Sequence, residues 1–122
     1  MGEIIKKNFN DADETRQPTD NVKLDIVNLG SVKVAKMVAQ PGWKWSEHIK
    51  PIVGTETCEN THIGVLISGS MIVADENGNE VKVNSGDAYY IGPSHDGWVL
   101  GNDPVIAFDF DQTTAESYGT KQ

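Results

Sequence analysis

Hydrophobic and polar residues alternate over short stretches along most of this chain, and turn residues separate the stretches. Val22, Leu24 and Ile26 alternate with polar neighbours, and this run stops at Gly30-Ser31. Alternation with a period of two places the apolar side chains on one face of a β-strand. No segment keeps apolar residues at spacings of three and four over several turns, so the pattern predicts no long helix.

Eight such runs fill the middle of the chain. Asn77-Gly78 separates two of them and is a strong hairpin signal, because these residues tolerate positive φ angles. The predicted strands cover residues 22–26, 32–37, 61–67, 71–74, 80–83, 88–91, 98–100 and 105–110. Short strands with regular turns and no internal repeat predict an all-β fold, a single antiparallel β-barrel or jelly roll.

The two ends of the chain are polar and contain almost no large apolar side chains. This composition predicts a partly ordered N-terminal arm over residues 1–21, a barrel over 22–110 and a polar C-terminal tail over 111–122. A chain of 122 residues has room for one domain with one modest core.

Charge and composition exclude several classes of partner. The formal net charge is −8 and the sequence pI is about 4.7. Such a surface repels phosphate groups, so we expect neither nucleic acid nor an anionic membrane as a partner. The N-terminus lacks the apolar stretch of a signal peptide, and Cys58 as a lone cysteine cannot form an internal disulfide. We therefore expect a cytoplasmic protein.

A spacing motif lies between residues 42 and 69. Gly42 is followed after a five-residue gap by His48, and His62 is followed after a six-residue gap by Gly69. Lys50 stands two residues after His48, so these two side chains share a face if the segment is a strand.

A second motif, Gly-Asp-Ala-Tyr-Tyr-Ile-Gly-Pro-Ser-His-Asp-Gly, spans residues 86–97 and contains His95. On these two motifs the chain resembles the cupin superfamily, whose small β-barrels include dioxygenases, isomerases and non-catalytic binding proteins. Lys50 replaces a histidine of the family pattern, His62 replaces a glutamate, and His95 lies two residues early. A shift of two residues preserves strand parity, which favours an inward-facing His95.

The resemblance implies a three-histidine metal site formed by His48, His62 and His95. Neutral imidazoles suit one divalent transition metal, Zn²⁺, Fe²⁺, Mn²⁺, Ni²⁺ or Cu²⁺. Three protein ligands leave a coordination position open, and the uncompensated positive charge favours a small polar or anionic molecule there. Cys58 and Glu56 are candidate additional ligands, because both lie between the first two histidines.

Strand parity also assigns the neighbours of this site. Tyr89 shares the parity of His95, and Tyr89 and Lys50 are predicted to line the pocket. Trp43 and Trp45 have the opposite parity to His48 and are predicted to face away from it.

Three functions remain open at this level. The first is a metal-dependent oxidoreductase such as a dioxygenase. The second is a non-catalytic module that binds or senses a small molecule, and the third is a barrel with a purely structural metal. The small barrels that the chain resembles commonly pair through edge strands, so we also expect a homodimer.

Overall fold

Strands and tight turns alternate over most of residues 2–120, the part of the chain that this computed structural model describes. The strands are β1 (Glu14–Thr19), β2 (Val22–Asn28), β3 (Lys33–Ala39), β4 (His62–Ser68), β5 (Ser70–Asp75), β6 (Glu80–Asn84), β7 (Ala88–Ile91), β8 (His95–Leu100) and β9 (Val105–Asp109). The helices are α1 (Trp45–His48), α2 (Lys50–Val53) and α3 (Gln112–Ser117), and a 3₁₀ turn covers Phe9–Asp11. None of the helices within residues 2–120 is long and apolar enough to cross a membrane.

The strands form two antiparallel sheets that face each other. The larger sheet has the order β1-β2-β3-β9-β4-β7, and the smaller sheet has the order β6-β5-β8. Neither sheet closes on itself through hydrogen bonds among the described residues. The all-β prediction of an antiparallel barrel or jelly roll is confirmed, and each of the eight predicted strands has a counterpart.

The core lies between the two sheets and follows from the alternation in the sequence. Val22, Leu24 and Ile26 on β2 are at most 2% exposed, whereas their neighbours Lys23 and Asp25 point outward or lie half-buried. Burying such aliphatic side chains contributes about 1.5–3 kcal/mol each, so the inward face of each strand fixes its register against the next.

The predicted N-terminal arm and polar C-terminal tail both contribute ordered elements to the fold. β1 pairs with β2 along the edge of the larger sheet. The segment predicted as a polar tail contains α3, and Tyr118 directly after it is buried in the core. The Asp111 side chain caps α3 by accepting from the backbone N–H of Thr113, and the Arg16 guanidinium on β1 donates to the Tyr118 carbonyl. Tyr118 and Ala115, which packs with Ile26 and Ala35, therefore bring an otherwise polar segment into the fold.

Candidate metal centre

Cys58, His62 and His95 come together at one end of the barrel. Their ligand atoms all lie within 4.8 Å of one another. His62 is the first residue of β4 and His95 is the first residue of β8, so the two sheets deliver one imidazole each. Cys58 lies in the loop before β4, where its backbone N–H donates to the His95 carbonyl at 2.7 Å. A backbone bridge therefore fixes the thiol beside the second imidazole.

A carboxylate on the neighbouring strand orients His62. Its Nδ1–H donates to Asp109 Oδ2 at 2.6 Å, and the Thr114 hydroxyl on α3 donates to the same oxygen at 3.1 Å. The other ring nitrogen, Nε2, lies 3.7 Å from Cys58 Sγ. Fixing one nitrogen of a histidine in this way leaves the other free to bind a metal, and it is the usual arrangement around metal-binding histidines.

A glycine permits the close approach of β4 and β9 that brings His62 to Asp109. Gly64 is paired with Asp109 across these strands. A Cβ atom at position 64 would lie 2.0 Å from the Phe108 carbonyl oxygen, closer than any real contact. Any other residue at this position would force the strands apart and would lengthen the contact between the imidazole and the carboxylate.

His95 is oriented by the backbone instead of by a side chain. Its Nδ1–H donates to the Gly92 carbonyl at 2.7 Å, which leaves Nε2 for the cluster. Ser94 has a φ of 71°, the left-handed region, and this conformation turns the chain immediately before His95. His95 is 8% exposed, so its imidazole lies in the interior of the protein.

The three groups interact electrostatically. Burial by itself raises the pKa of the Cys58 thiol, but hydrogen bonds with His62 and His95 outweigh it and lower the pKa to about 7. Burial lowers the pKa of His62, yet the hydrogen bonds to Asp109 and Cys58 dominate and raise it to about 9. Without a metal, this pair therefore favours a thiolate beside an imidazolium. A thiolate is also the form of cysteine that binds metals.

The cluster opens onto a small cavity of about 40 Å³. Most of its lining is aromatic or aliphatic, with Met37, Trp43, Met71, Tyr89 and Tyr118 among the contributors. The Tyr118 ring packs edge-on against the His62 ring at 5.6 Å between centroids. Burial raises the pKa of the Tyr118 hydroxyl well above its ordinary value, so this residue stays neutral.

A larger groove of about 500 Å³ adjoins the cavity. The groove runs along β6 and β7, and Val73, Tyr89, Ile91 and His95 line both spaces. Polar side chains on its outer part include Lys82 and Asp87. These shared residues place the groove next to the cavity on the side of His95.

The predicted three-histidine set needs a correction, because His48 is not part of this cluster. His48 ends α1, and its Nδ1 accepts from the backbone N–H of Lys44 at 3.0 Å. The strand parity assumed for this segment does not apply, since residues 45–53 form two short helices. Cys58, which the sequence offered as an additional ligand, takes the third place.

The other predicted neighbours divide into two groups. Tyr89 lines the cavity. Glu56 and Lys50 do not reach it, because they form a solvent-exposed ion pair at 2.8 Å with the Glu56 side chain 91% exposed. Trp43 and Trp45, expected to face away, are both buried and line the cavity. Trp45 is the first residue of α1, and Trp43 lies in the extended segment just before it.

Sequence reasoning missed Asp109, Thr114 and Tyr118. Asp109 had a detectable signal, because it shares the parity of Val105 and Ala107 and so lies on the buried face of its strand. An acidic residue in such a position requires a partner. Thr114 and Tyr118 had no comparable signal, since they lie in a short polar helix and the residue after it.

The chain is similar in structure to several solved proteins, but sequence comparison finds no match. No protein-family model matches the chain, and no curated protein matches it in sequence. A cupin-superfamily sugar phosphate isomerase from Silicibacter pomeroyi is similar over 86% of this chain and 73% of its own, with 15% identity and a TM-score of 0.61. KdgF from Halomonas sp. is similar over 80% and 86%, with 18% identity and a TM-score of 0.55.

AerE from Microcystis aeruginosa is also similar, with 16% identity and a TM-score of 0.61 over 80% of this chain. The aligned region spans only 44% of AerE. At these identities the similarities bear on the fold alone.

Proposed function

Because the chain has the cupin fold, we propose that Cys58, His62 and His95 bind one divalent transition metal and leave a coordination position open to a small ligand. The convergence of the three ligand atoms within 4.8 Å carries this proposal. The hydrogen bonds from His62 to Asp109 and from His95 to Gly92 support it, since each presents Nε2 to the cluster.

The three proposed ligands, one thiolate and two imidazoles, limit which metals fit the site and set the charge of the bound ion with its ligands. One thiolate and two imidazoles suit Zn²⁺, Cu²⁺ and Fe²⁺ better than they suit hard, oxygen-preferring ions. The thiolate reduces the charge of a divalent ion and its direct ligands from +2 to +1, and the Asp109 carboxylate lies behind His62. This differs from three neutral histidines, which would leave both positive charges uncompensated.

The cavity favours ligand binding over acid–base catalysis. Asp109 is the carboxylate that lines it, and this side chain is engaged by His62 and Thr114. A group held in this way orients its partner and does not serve as a free general base. We therefore propose a protein that binds a small ligand at a metal, with metal-dependent oxidation as the reaction to screen first.

Metal analysis of the purified protein tests the proposal. We expect one equivalent of transition metal per chain, loss of that metal to a strong chelator, and its replacement by Co²⁺. The Co²⁺ protein should absorb in the near ultraviolet through thiolate-to-cobalt charge transfer, because Cys58 is a ligand. Protein that lacks metal after purification and shows no such absorption with added Co²⁺ would contradict the proposal.

Asp109→Asn is expected to weaken metal binding by about 10- to 100-fold, the usual cost of losing the hydrogen-bond partner of a metal-binding histidine. Asparagine keeps the size of the side chain but removes the charge that fixes the ring. The Kd is measured by competition with a chromophoric chelator. Asp103→Asn, which makes the same charge change in the exposed loop at the other end of β9, should leave the Kd unchanged. Equal affinities in both variants would exclude the proposed role of Asp109.

The chain of contacts from Cys58 through His62 to Asp109 supports a second candidate function, in which Cys58 acts as a nucleophile. The Sγ–Nε2 distance of 3.7 Å and the Nδ1–Oδ2 distance of 2.6 Å place a thiol, a base and an orienting carboxylate in series. In this function His62 takes the thiol proton, and the thiolate forms a bond to an electrophilic carbon while the leaving group departs with the electron pair of the broken bond. Iodoacetamide distinguishes the candidates: rapid displacement of iodide in protein as purified supports the nucleophile, whereas alkylation only after chelation supports the metal site.

A further inference from the structure

One residue that lines the cavity, Trp43, has a buried donor without a partner. Among residues 2–120, Trp43 Nε1 is the one buried side-chain nitrogen or oxygen that makes no hydrogen bond. Trp43 is 3% exposed and lines the same cavity as Cys58, His62 and His95. Buried polar groups are almost always paired, because leaving one unpaired costs stability. An indole N–H is only a donor, so the missing partner is an acceptor.

The backbone holds Trp43 next to the strand that carries His95. The Val99 N–H on β8 donates to the Trp43 carbonyl at 3.0 Å, and the adjacent Lys44 forms a backbone bridge with Trp98. The indole therefore belongs to the wall of the metal site, and its position does not depend on a mobile loop. A ligand at the open coordination position is the natural source of an acceptor atom.

Cavity size and charge define that ligand. About 40 Å³ accommodates roughly three water-sized atoms, since each needs about 10–15 Å³ of such space. The remaining lining is mainly apolar, and its one carboxylate, Asp109, is held by His62 and Thr114. A divalent ion with one thiolate and two neutral imidazoles as ligands has a charge of +1. These limits exclude a sugar or an amino acid from the cavity itself and favour a compact monoanion.

We propose that the Trp43 indole N–H is a ligand-binding group of the metal site, and that it donates a hydrogen bond to a metal-bound monoanion of no more than about three heavy atoms. This inference rests on the proposed metal site. It assigns a specificity role to a tryptophan outside the Cys58, His62 and His95 set. The indole selects ligands that offer an acceptor atom away from the metal.

Azide binding to the Co²⁺-loaded protein tests the assignment through the visible absorption of the metal. Azide has three heavy atoms, one negative charge and a terminal acceptor nitrogen. Trp43→Phe should weaken azide binding about 10- to 100-fold, because a hydrogen bond to a charged group contributes about 1.5–3 kcal/mol and each 1.4 kcal/mol is a factor of ten. Trp45→Phe is the matched control, since Trp45 lines the same cavity and its indole is not an unpartnered buried group.

A measurement on the unaltered protein does not depend on how the variant folds. The chain has three tryptophans and so gives three indole N–H signals in a ¹⁵N-tryptophan NMR spectrum. In the Zn²⁺-loaded protein, azide should move one of them downfield, and that signal should be absent in Trp43→Phe.

The outcomes separate this inference from the proposed function. If the original protein binds Co²⁺ but azide affinity is the same in Trp43→Phe and no indole signal moves, the role of Trp43 is wrong and the metal site stands. If the original protein binds no Co²⁺, both proposals fail together. If Trp45→Phe weakens azide as much as Trp43→Phe does, cavity shape explains the effect and the hydrogen bond is rejected.

Discussion

We expect stoichiometric metal binding to be abolished in three variants, Cys58→Ser, His62→Ala and His95→Ala. His48→Ala should bind metal as tightly as the original protein. Each of Cys58, His62 and His95 supplies one ligand atom of the cluster. Loss of a ligand should cost more than the roughly 10- to 100-fold that follows from losing a ligand's hydrogen-bond partner. His48 should be dispensable because it lies outside this cluster of ligand atoms.

Chelator competition with Zn²⁺ or Co²⁺ gives the four affinities, and Cys58→Ser is the most informative of the variants. Serine keeps the shape of cysteine but does not provide a thiolate, so the near-ultraviolet charge-transfer absorption of the Co²⁺ protein should disappear. Circular dichroism of the metal-free proteins checks that each variant is folded. Metal loss in His48→Ala, or full retention in any of the other three, would contradict the assigned site.

The Cys58, His62 and His95 variants also separate a functional metal from one that only stabilises the barrel. A structural metal contributes its binding energy to folding, so its removal lowers the midpoint of thermal unfolding strongly. The two histidines already have hydrogen-bond partners in Asp109 and Gly92, and the core forms around them. We therefore expect the metal-free protein to remain folded, and unfolding on chelation would favour the structural role.

Tyr118→Ala is expected to destabilise the protein by about 3–5 kcal/mol, the usual cost of deleting a large buried aromatic side chain. Tyr118 is 2% exposed and packs within the main core cluster. Equilibrium unfolding in urea measures the change. Tyr90→Ala is the control, because Tyr90 is 70% exposed and most surface substitutions stay within about 0.5 kcal/mol.

Removal of the Tyr118 ring should also lower the affinity of the site for metal. The ring covers one face of His62, and α3 just before it carries Thr114, which donates to Asp109. Release of this segment would admit water to both His62 and its carboxylate partner, and metal affinity should fall together with stability. A Tyr118→Ala protein as stable as Tyr90→Ala would show that the Tyr118 ring is dispensable for the fold.

The alternation of apolar and polar residues correctly predicted which residues are buried wherever burial depends only on a residue's position in its own strand. The alternation of Val22, Leu24 and Ile26 predicted β2 and its buried face, and similar runs predicted the other core strands. His62 and His95 were singled out by motif spacing, and both lie at the starts of strands. Hydrophobic burial enforces this parity, because a slip by one residue would expose a whole face.

The same reasoning failed where strand parity did not apply. Trp43, Trp45 and His48 were placed as if on a strand, but α1 begins at Trp45. A helix repeats about every 3.6 residues, so a face assigned with a period of two is wrong within a few positions. Trp45 at the start of α1 lines the cavity, as does Trp43 just before the helix, whereas His48 at the end of α1 does not.

The sequence by itself determined the sheet-forming segments, the buried faces of the strands and two of the three clustered ligands, because each depends on the spacing of residues within one segment. Only the tertiary structure decided that Cys58 replaces His48, that Asp109 orients His62 and that Tyr118 closes the site. These contacts join a loop, three strands and the segment after α3. The residues are separated by up to 60 positions along the chain, from 58 to 118. Spacing along the chain carries no information about such contacts, because the packing of the two sheets brings them together.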